Sequence, residues 1–85
     1  MRDTLELLVS EMHSAGLLYS ESVRRFRTEM IKQALRASRG NQARAALSLG
    51  MHRNTFQRAL VELDLYGWMR EERLLRRRGQ NFLSQ

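Results

Sequence analysis

The sequence has no cysteine and no proline among its 85 residues. Without cysteine there are no disulfides and no thiolate chemistry, and without proline nothing forces a break in a succession of helices. No apolar run approaches the ~18–20 residues of a membrane span. Because residues 1–16 are amphipathic and carry acidic side chains, we expect no secretory signal. These absences predict a helical protein of the reducing cytoplasm.

Acidic residues are missing from the centre of the chain. The net charge of +6 comes from fourteen arginines and one lysine. Residues 1–21 hold one arginine and four acids, whereas residues 30–61 hold six basic side chains and no acid. The six are Lys32, Arg36, Arg39, Arg44, Arg53 and Arg58. A local excess of this kind favours a polyanion partner, the alternative being a solvated basic face.

Two amphipathic helices are predicted in residues 1–40. Asp3 and Glu6 have capping-box spacing, which predicts a helix over 4–15 that Gly16 stops. Ser20 is the predicted N-cap of a longer helix that Gly40 ends. Apolar residues recur at helical spacing in both, at Leu5, Leu8, Val9 and Met12, then at Val23, Phe26, Met30, Ala34, Leu35 and Ala37.

A chain this short has little room for a core of its own. We therefore expect the two helices to pack against a second copy, the alternative being packing within the monomer. The predicted dimer interface consists of Leu5, Leu8, Val9, Met12, Val23, Phe26 and Met30.

Residues 41–63 have the pattern of a helix-turn-helix. Asn41 caps a predicted helix over 42–48, Gly50 supplies the turn, and a second helix is predicted over 53–63. Small residues at Ala43, Ala45 and Ala46 permit a close helix crossing, and Leu49, Met51 and Phe56 form the wedge between the helices. Phe56, Ala59, Leu60 and Leu63 share the inner face of the second helix.

The outer face of this unit has side chains suited to nucleic acid. An arginine can fork to guanine O6 and N7, and Asn or Gln can pair with adenine N6 and N7. The predicted base-contacting residues are His52, Arg53, Asn54 and Gln57. The predicted backbone-contacting residues are Asn41, Gln42, Arg44, Thr55 and Arg58, whose donors can hold phosphates. The alternative is that these charges only solubilise exposed helix faces.

The last twenty residues have a weaker pattern. Trp68, Met69, Leu74 and Leu75 predict a short helix over 67–77, followed by a frayed basic end. Auxiliary DNA contacts are predicted for Arg70, Arg73, Arg76, Arg77 and Arg78. The expected organisation is a single domain with dimerisation helices in 1–40, the helix-turn-helix region in 41–65 and a basic extension in 66–85.

The run from Arg39 to Phe56, RGNQARAALSLGMHRNTF, resembles the signature of the Fis (factor for inversion stimulation) family, which also ends many bacterial enhancer-binding activators. The resemblance implies an all-α, four-helix subunit, an intertwined homodimer, and DNA binding and bending through the last two helices. It implies that Arg53 is the family's base-contacting arginine and that His52 stands where the family often has Asn.

The chain also departs from this family. Ala43 replaces a hydroxyl residue that grips phosphate, and Glu62 and Asp64 stand where a well-known member is rich in lysine. That member's N-terminal β-hairpin arm has no counterpart before the first helix, so enhancement of recombination is not expected.

Other classes of function find little support in the residues. The only two histidines, His13 and His52, are far apart in sequence, and no nucleophile–base pair or phosphate loop is present, so we expect no metal, cofactor or enzymatic activity. Expected partners are double-stranded DNA, a second copy of the chain, and RNA polymerase or another regulator, with no membrane.

The sequence thus predicts a transcriptional regulator or nucleoid-associated protein located in the cytoplasm. Two alternatives stay open, a protein-interaction adaptor or anti-activator and the detached DNA-binding domain of a larger activator. RNA binding is a further alternative on charge alone, although exposed aromatic platforms are limited to Tyr66 and Trp68.

Overall fold

The computed structural model describes residues 2–83, with side chains over residues 3–78. This range contains five helices and no strand, so the predicted all-α class is confirmed. The helices are α1 (Arg2–Ser14), α2 (Tyr19–Ala37), α3 (Gln42–Ser48), α4 (Arg53–Glu62) and α5 (Tyr66–Leu83). Contacts divide the chain within α2 into two compact units, residues 1–30 and residues 31–85. The two units are described separately below.

The first unit has no buried side chain between residues 3 and 30. Its helix α1 begins at Arg2, so the prediction of Asp3 as N-cap is wrong, and Asp3 lies in the first turn, where its charge favours the helix dipole. Gly16 ends the helix as predicted. Its φ of 80° lets the N–H of Leu17 reach back to the carbonyl of Met12 at 3.2 Å.

The start of α2 differs from the prediction by two residues. Ser20 lies inside the first turn and is not the N-cap. The backbone N–H of Leu18 donates to the Glu21 carboxylate at 3.0 Å, which is the return half of a capping box. A carboxylate three residues downstream thus moves the helix start to Tyr19.

The second unit contains the buried core. Its members come from α2, α3, α4 and the start of α5, and they are Ile31, Ala34, Leu35, Ala45, Ala46, Phe56, Ala59, Leu60, Leu63, Leu65 and Met69. Sequence periodicity did not identify Ile31, which is 3% exposed. It also placed Ala37 on the apolar face of α2 and Ala43 at the helix crossing, and both are exposed. Those two assignments are wrong because the packed stripe of each helix is narrower than the run of small and apolar residues.

The helices of the second unit end in one repeated geometry. A residue of positive φ follows each of α2, α3 and α4, and the next N–H returns to a carbonyl five residues earlier, as in a Schellman motif. The positive-φ residue is glycine only at Gly50. After α2 it is Arg39 (φ 55°), followed by Gly40 (φ 83°), and after α4 it is Asp64 (φ 55°). The predicted stop at Gly40 therefore begins one residue earlier, at Arg39.

Helix α5 is longer than the predicted 67–77. It begins at Tyr66 and continues to Leu83. The prediction of a frayed end is therefore wrong for the residues up to Leu83. Ser84 and Gln85 lie outside the described residues. Buried Leu65 and Met69 anchor its first turns in the core. The Trp68 ring lies under two cations, with Lys32 Nζ and Arg36 Cζ each 5.2 Å from its centroid. These contacts pack the first part of α5 against α2.

Two kinds of feature are absent from the described part of the chain. None of its helices is both long enough and apolar enough to cross a bilayer. In the same range, no three His, Cys, Asp or Glu side chains come together as a metal ion would require.

Candidate nucleic-acid interface

Helices α3 and α4 form a helix-turn-helix joined by residues 49–52. Ala46 at the crossing is 2% exposed and Phe56 is fully buried, while Leu49 and Met51 pack partly buried against the same core. The turn depends on Gly50, whose φ of 66° allows the N–H of Met51 to donate to the Ala46 carbonyl at 2.9 Å. The predicted crossing at Ala46, the turn at Gly50 and the wedge are confirmed, and they hold one face of α4 against α3.

His52 is the N-cap of α4. Its extended backbone (φ −67°, ψ 143°) turns the side chain back, and Nδ1 accepts a hydrogen bond from the backbone N–H of Asn54 at 3.1 Å. A ring nitrogen that accepts must be unprotonated, so Nε2 carries the proton in this arrangement. His52 therefore supports the helix through one nitrogen and keeps Nε2–H as its remaining donor.

The first turns of α4 present most of the predicted contact residues to solvent. Arg53, Asn54, Thr55 and Arg58 are exposed, and Gln57 is half-buried. The buried residues of α4 are Phe56, Ala59 and Leu60. At 3.6 residues per turn, Asn54 and Arg58 lie opposite that buried face, whereas Gln57 lies beside it. The first turn of α4 thus has a charged and amide-bearing outer surface.

Val61 continues the outer face of α4 with an apolar side chain that is 70% exposed. The next residue, Glu62, is acidic and exposed, and so is Asp64 after the helix end. The positive charge of α4 is therefore confined to its first six residues, at Arg53 and Arg58.

The start of α3 has a similar capped geometry. The Asn41 carboxamide oxygen accepts from the backbone N–H of Arg44 at 3.1 Å, so the predicted N-cap is confirmed. Asn41 and Arg44 are exposed, and Gln42 is half-buried. Because Oδ1 is used within the helix, the amide Nδ2 of Asn41 and the Arg44 guanidinium are the donors left for a partner.

The arginines of α5 fall into two groups. Arg70, Arg77 and Arg78 are exposed. Arg73 and half-buried Arg76 line a small cavity next to the turn between α2 and α3, and Arg39 lines it with them. Sequence reasoning missed Arg39 as a member of this group. Thirty-four residues separate it from Arg73, and no local pattern signals that proximity.

The predicted dimer residues all lie in the first unit. Leu5, Leu8, Val9, Val23, Phe26 and Met30 are exposed by 38–55%, and Met12 is half-buried. All but Met30 line one apolar groove, together with Leu17 and Tyr19. The described chain therefore leaves these apolar side chains largely in solvent.

Comparison with known proteins finds a family match for the central segment of the chain. Residues 22–63, about half of the chain, match the family model described as "Bacterial regulatory protein, Fis family". A 54-residue stretch is 41% identical to the DNA-binding transcriptional regulator NtrC of Azospirillum brasilense, covering 64% of this chain and 11% of that protein. The chain thus spans about a tenth of that relative's length. No solved structure matches the chain.

The matched segment contains α3, α4 and most of α2, and α5 lies beyond its end. The resemblance recognised from the RGNQARAAL run is therefore confirmed. We conclude that residues 22–63 belong to the Fis family of bacterial regulatory proteins.

Proposed function

We propose that this chain binds and bends double-stranded DNA as a homodimer and acts in the cytoplasm as a transcriptional regulator or nucleoid-associated protein. The observation that carries the proposal is the first turn of α4, where Arg53 and Asn54 are exposed and Asn54 faces away from the buried side of the helix. In DNA-binding helix-turn-helix proteins, the N-terminal residues of the second helix contact base edges in the major groove.

The exposed side chains divide into two chemical roles. Arg53 can fork to a guanine and Asn54 can pair with an adenine, and each bidentate contact contributes about 1–3 kcal/mol of discrimination. Arg44, Thr55 and Arg58 offer donors of the kind that hold phosphates and set the register on the duplex. The similarity to the DNA-binding transcriptional regulator NtrC supports DNA binding by this chain.

The proposed homodimer explains the exposed apolar surface of the first unit. A groove with an apolar wall is formed by α1 and the start of α2, and no side chain between residues 3 and 30 is buried. Contiguous exposed apolar surface of this kind marks a protein interface. A second copy brings an identical groove, and the two-fold axis of such a pair presents two recognition helices to two half-sites. Bending follows if the two helices enter successive major grooves.

Selection from a random DNA pool tests this function most directly. We expect a preferred palindrome whose half-sites lie about one helical turn, or about 10 base pairs, apart. A selected sequence without two-fold symmetry would contradict the homodimer. Absence of micromolar binding to random duplex at low salt would contradict DNA binding and favour the adaptor or anti-activator, which acidic Glu62 and Asp64 at the end of α4 motivate.

A second candidate function is the DNA-binding end of a larger enhancer-binding activator. It is favoured by the match to NtrC, which covers only 11% of that regulator. In that case the genomic codons upstream of Met1 encode an ATPase domain in the same frame. A stop codon and a ribosome-binding site directly upstream of Met1 would contradict it.

A further inference from the structure

A small cavity lies where α5 passes the turn between α2 and α3. Arg39, Arg73 and Arg76 line it, together with Gly40 and Trp68. We propose that this cavity is a phosphate-binding pocket that holds one backbone phosphate of bound DNA. The proposal rests on the proposed function, because DNA is the source of the phosphate. It adds α5, which lies outside the family match, to the binding surface.

The position of the pocket follows from how α5 runs beside α2. Trp68 lies under Lys32 and Arg36 at 5.2 Å, and Glu72, one turn later, pairs with Arg36 at 3.2 Å. Another turn on, Arg76 reaches Gly40. The two helices therefore run in the same direction, and α5 delivers its arginine to the residue that precedes the α3 N-cap.

Gly40 provides the space that the Arg76 guanidinium occupies. A Cβ atom at Gly40 would lie 2.9 Å from Nη2 of Arg76, closer than real Cβ contacts come. The φ of 83° at Gly40 also favours glycine. The backbone conformation accounts for the glycine, and its missing side chain leaves room for the guanidinium beside the start of α3.

The charges around the pocket are unbalanced. Glu72 is the one acidic side chain lining it, and it is engaged by Arg36 of α2. Within residues 3–78, the guanidinium groups of Arg39, Arg73 and Arg76 form no hydrogen bond or ion pair. Three like charges in one place repel one another, and an anion between them removes that repulsion. Arginine is also the side chain that best matches the oxygens of a phosphate.

The size of the cavity selects the kind of ligand. Its volume is about 70 Å³, which exceeds the roughly 10–15 Å³ that one water needs. It is well below the roughly 300–1,000 Å³ of pockets that enclose drug-sized ligands. The pocket therefore fits a phosphate group but not a whole nucleotide, as expected if the rest of the ligand lies outside on the protein surface.

The neighbouring segment points to the same ligand. Gly40 is followed directly by Asn41 and the first turn of α3, where exposed Arg44 is proposed to contact the backbone. Because pocket residue Gly40 directly precedes this segment, a phosphate in the pocket and the phosphate proposed at Arg44 can belong to one DNA strand.

The test compares the double variant Arg73→Gln/Arg76→Gln with Arg25→Gln. Arg25 is exposed on α2, does not line the pocket and belongs to no predicted DNA contact, so it controls for loss of positive charge. We expect the double variant to reduce the slope of log K against log salt by about 0.9 for each protomer bound, the value for one lost phosphate contact. Arg25→Gln should leave the slope at the wild-type value. Equal slope changes per charge removed in the two variants would overturn the pocket.

A second readout does not depend on DNA. Trp68 is the only tryptophan and lines the pocket, so its fluorescence reports on occupancy. We titrate inorganic phosphate at constant ionic strength against chloride, and expect a saturable change in wild type and Arg25→Gln that is absent from the double variant. Urea unfolding, followed by helical circular dichroism, checks that each variant is folded. If the double variant is unfolded, the single variant Arg73→Gln replaces it, with the same expected results, because Arg73 lines the pocket and is exposed.

The outcomes separate the two proposals. Normal DNA binding with an unchanged slope in the double variant overturns the pocket and leaves the proposed function standing. A phosphate response in a wild-type protein that binds no DNA overturns the proposed function and assigns the pocket to a free anion, which also overturns DNA as its ligand. The proposal is supported if the double variant, and not the control variant, shows both a reduced salt slope and no fluorescence response to phosphate.

Discussion

The imidazole Nδ1 of His52 accepts a hydrogen bond from the backbone N–H of Asn54 at 3.1 Å. The side chain thereby satisfies one of the N–H groups that the first turn of α4 leaves without a helical partner. The same turn carries Arg53 and Asn54, the side chains on which base recognition is proposed to depend. Cap and recognition surface are therefore built from adjacent residues.

His52→Ala removes this cap and should lower the free energy of unfolding by about 1 kcal/mol, the usual cost of losing an N-cap. His52→Asn provides a carboxamide oxygen for the same bond and should restore most of that loss. Urea denaturation followed by circular dichroism measures both. Equal stability of His52→Ala and wild type would contradict the capping role.

Base preference should depend on Arg53. Arg53→Ala is expected to bind the selected sequence and random duplex with similar affinity, because the bidentate contact that distinguishes them is lost. Fluorescence anisotropy with the two duplexes gives the ratio of affinities. If the variant keeps the wild-type ratio, Arg53 does not read the bases.

Arg44→Ala is the matched comparison from α3. Loss of the Arg44 side chain should weaken binding to every sequence alike, because a phosphate contact carries no sequence information. It should also reduce the salt slope by about 0.9, the value for one lost phosphate contact. The ratio of specific to random affinity should stay at its wild-type value. A changed ratio in this variant would assign Arg44 to base readout.

The oligomeric state should depend on the groove of the first unit. Phe26, 53% exposed, lines that groove, and Phe26→Asp places a charge where the proposed partner covers apolar surface. Sedimentation equilibrium is expected to show a dimer for wild type and a monomer for this variant. Leu47→Asp, at an α3 position that is 79% exposed, should remain dimeric. Two monomeric variants, or two dimeric ones, would argue against the groove as the dimer interface.

The cap after α4 gives a prediction of stabilisation. Asp64 has a φ of 55°, a conformation that costs most L-residues about 1–2 kcal/mol and glycine little. After allowance for the greater entropy of unfolded glycine, Asp64→Gly should raise the free energy of unfolding by about 0.5–1 kcal/mol. Removal of a negative charge from a helix C-terminus acts in the same direction.

Gly50→Ala is the reverse experiment. A Cβ at Gly50 meets no atom within 4 Å, so its φ of 66° is the whole source of the cost. We expect a loss of about 1 kcal/mol, measured by the same urea titration. If the free energy of unfolding rises for Asp64→Gly and falls for Gly50→Ala, positive φ is the cause of both changes. Changes of the same sign would contradict this explanation.

Local signals in the sequence were sufficient for the helix-turn-helix. The range predicted for α3 agrees with the structure, and α4 differs only in its last residue, Leu63, which is its C-cap. The reason is that each signal affects only the backbone within a few residues of itself. The signals are the N-cap at Asn41, the positive-φ glycine at Gly50 and the helical spacing of the apolar residues. The exposure of Arg53 at the start of α4 agrees with the same spacing, and its contact with bases stays a prediction.

Tertiary contacts decided the features that join distant residues. The packing of α5 depends on Met69, and on Leu65 just before the helix, entering a core built by α2, α3 and α4, and on Trp68 lying under Lys32 and Arg36. The grouping of Arg39 with Arg73 and Arg76 depends on α5 running beside α2. Periodicity describes one helix at a time, so it could place each arginine on a helix. Only packing between helices could place the three around one cavity.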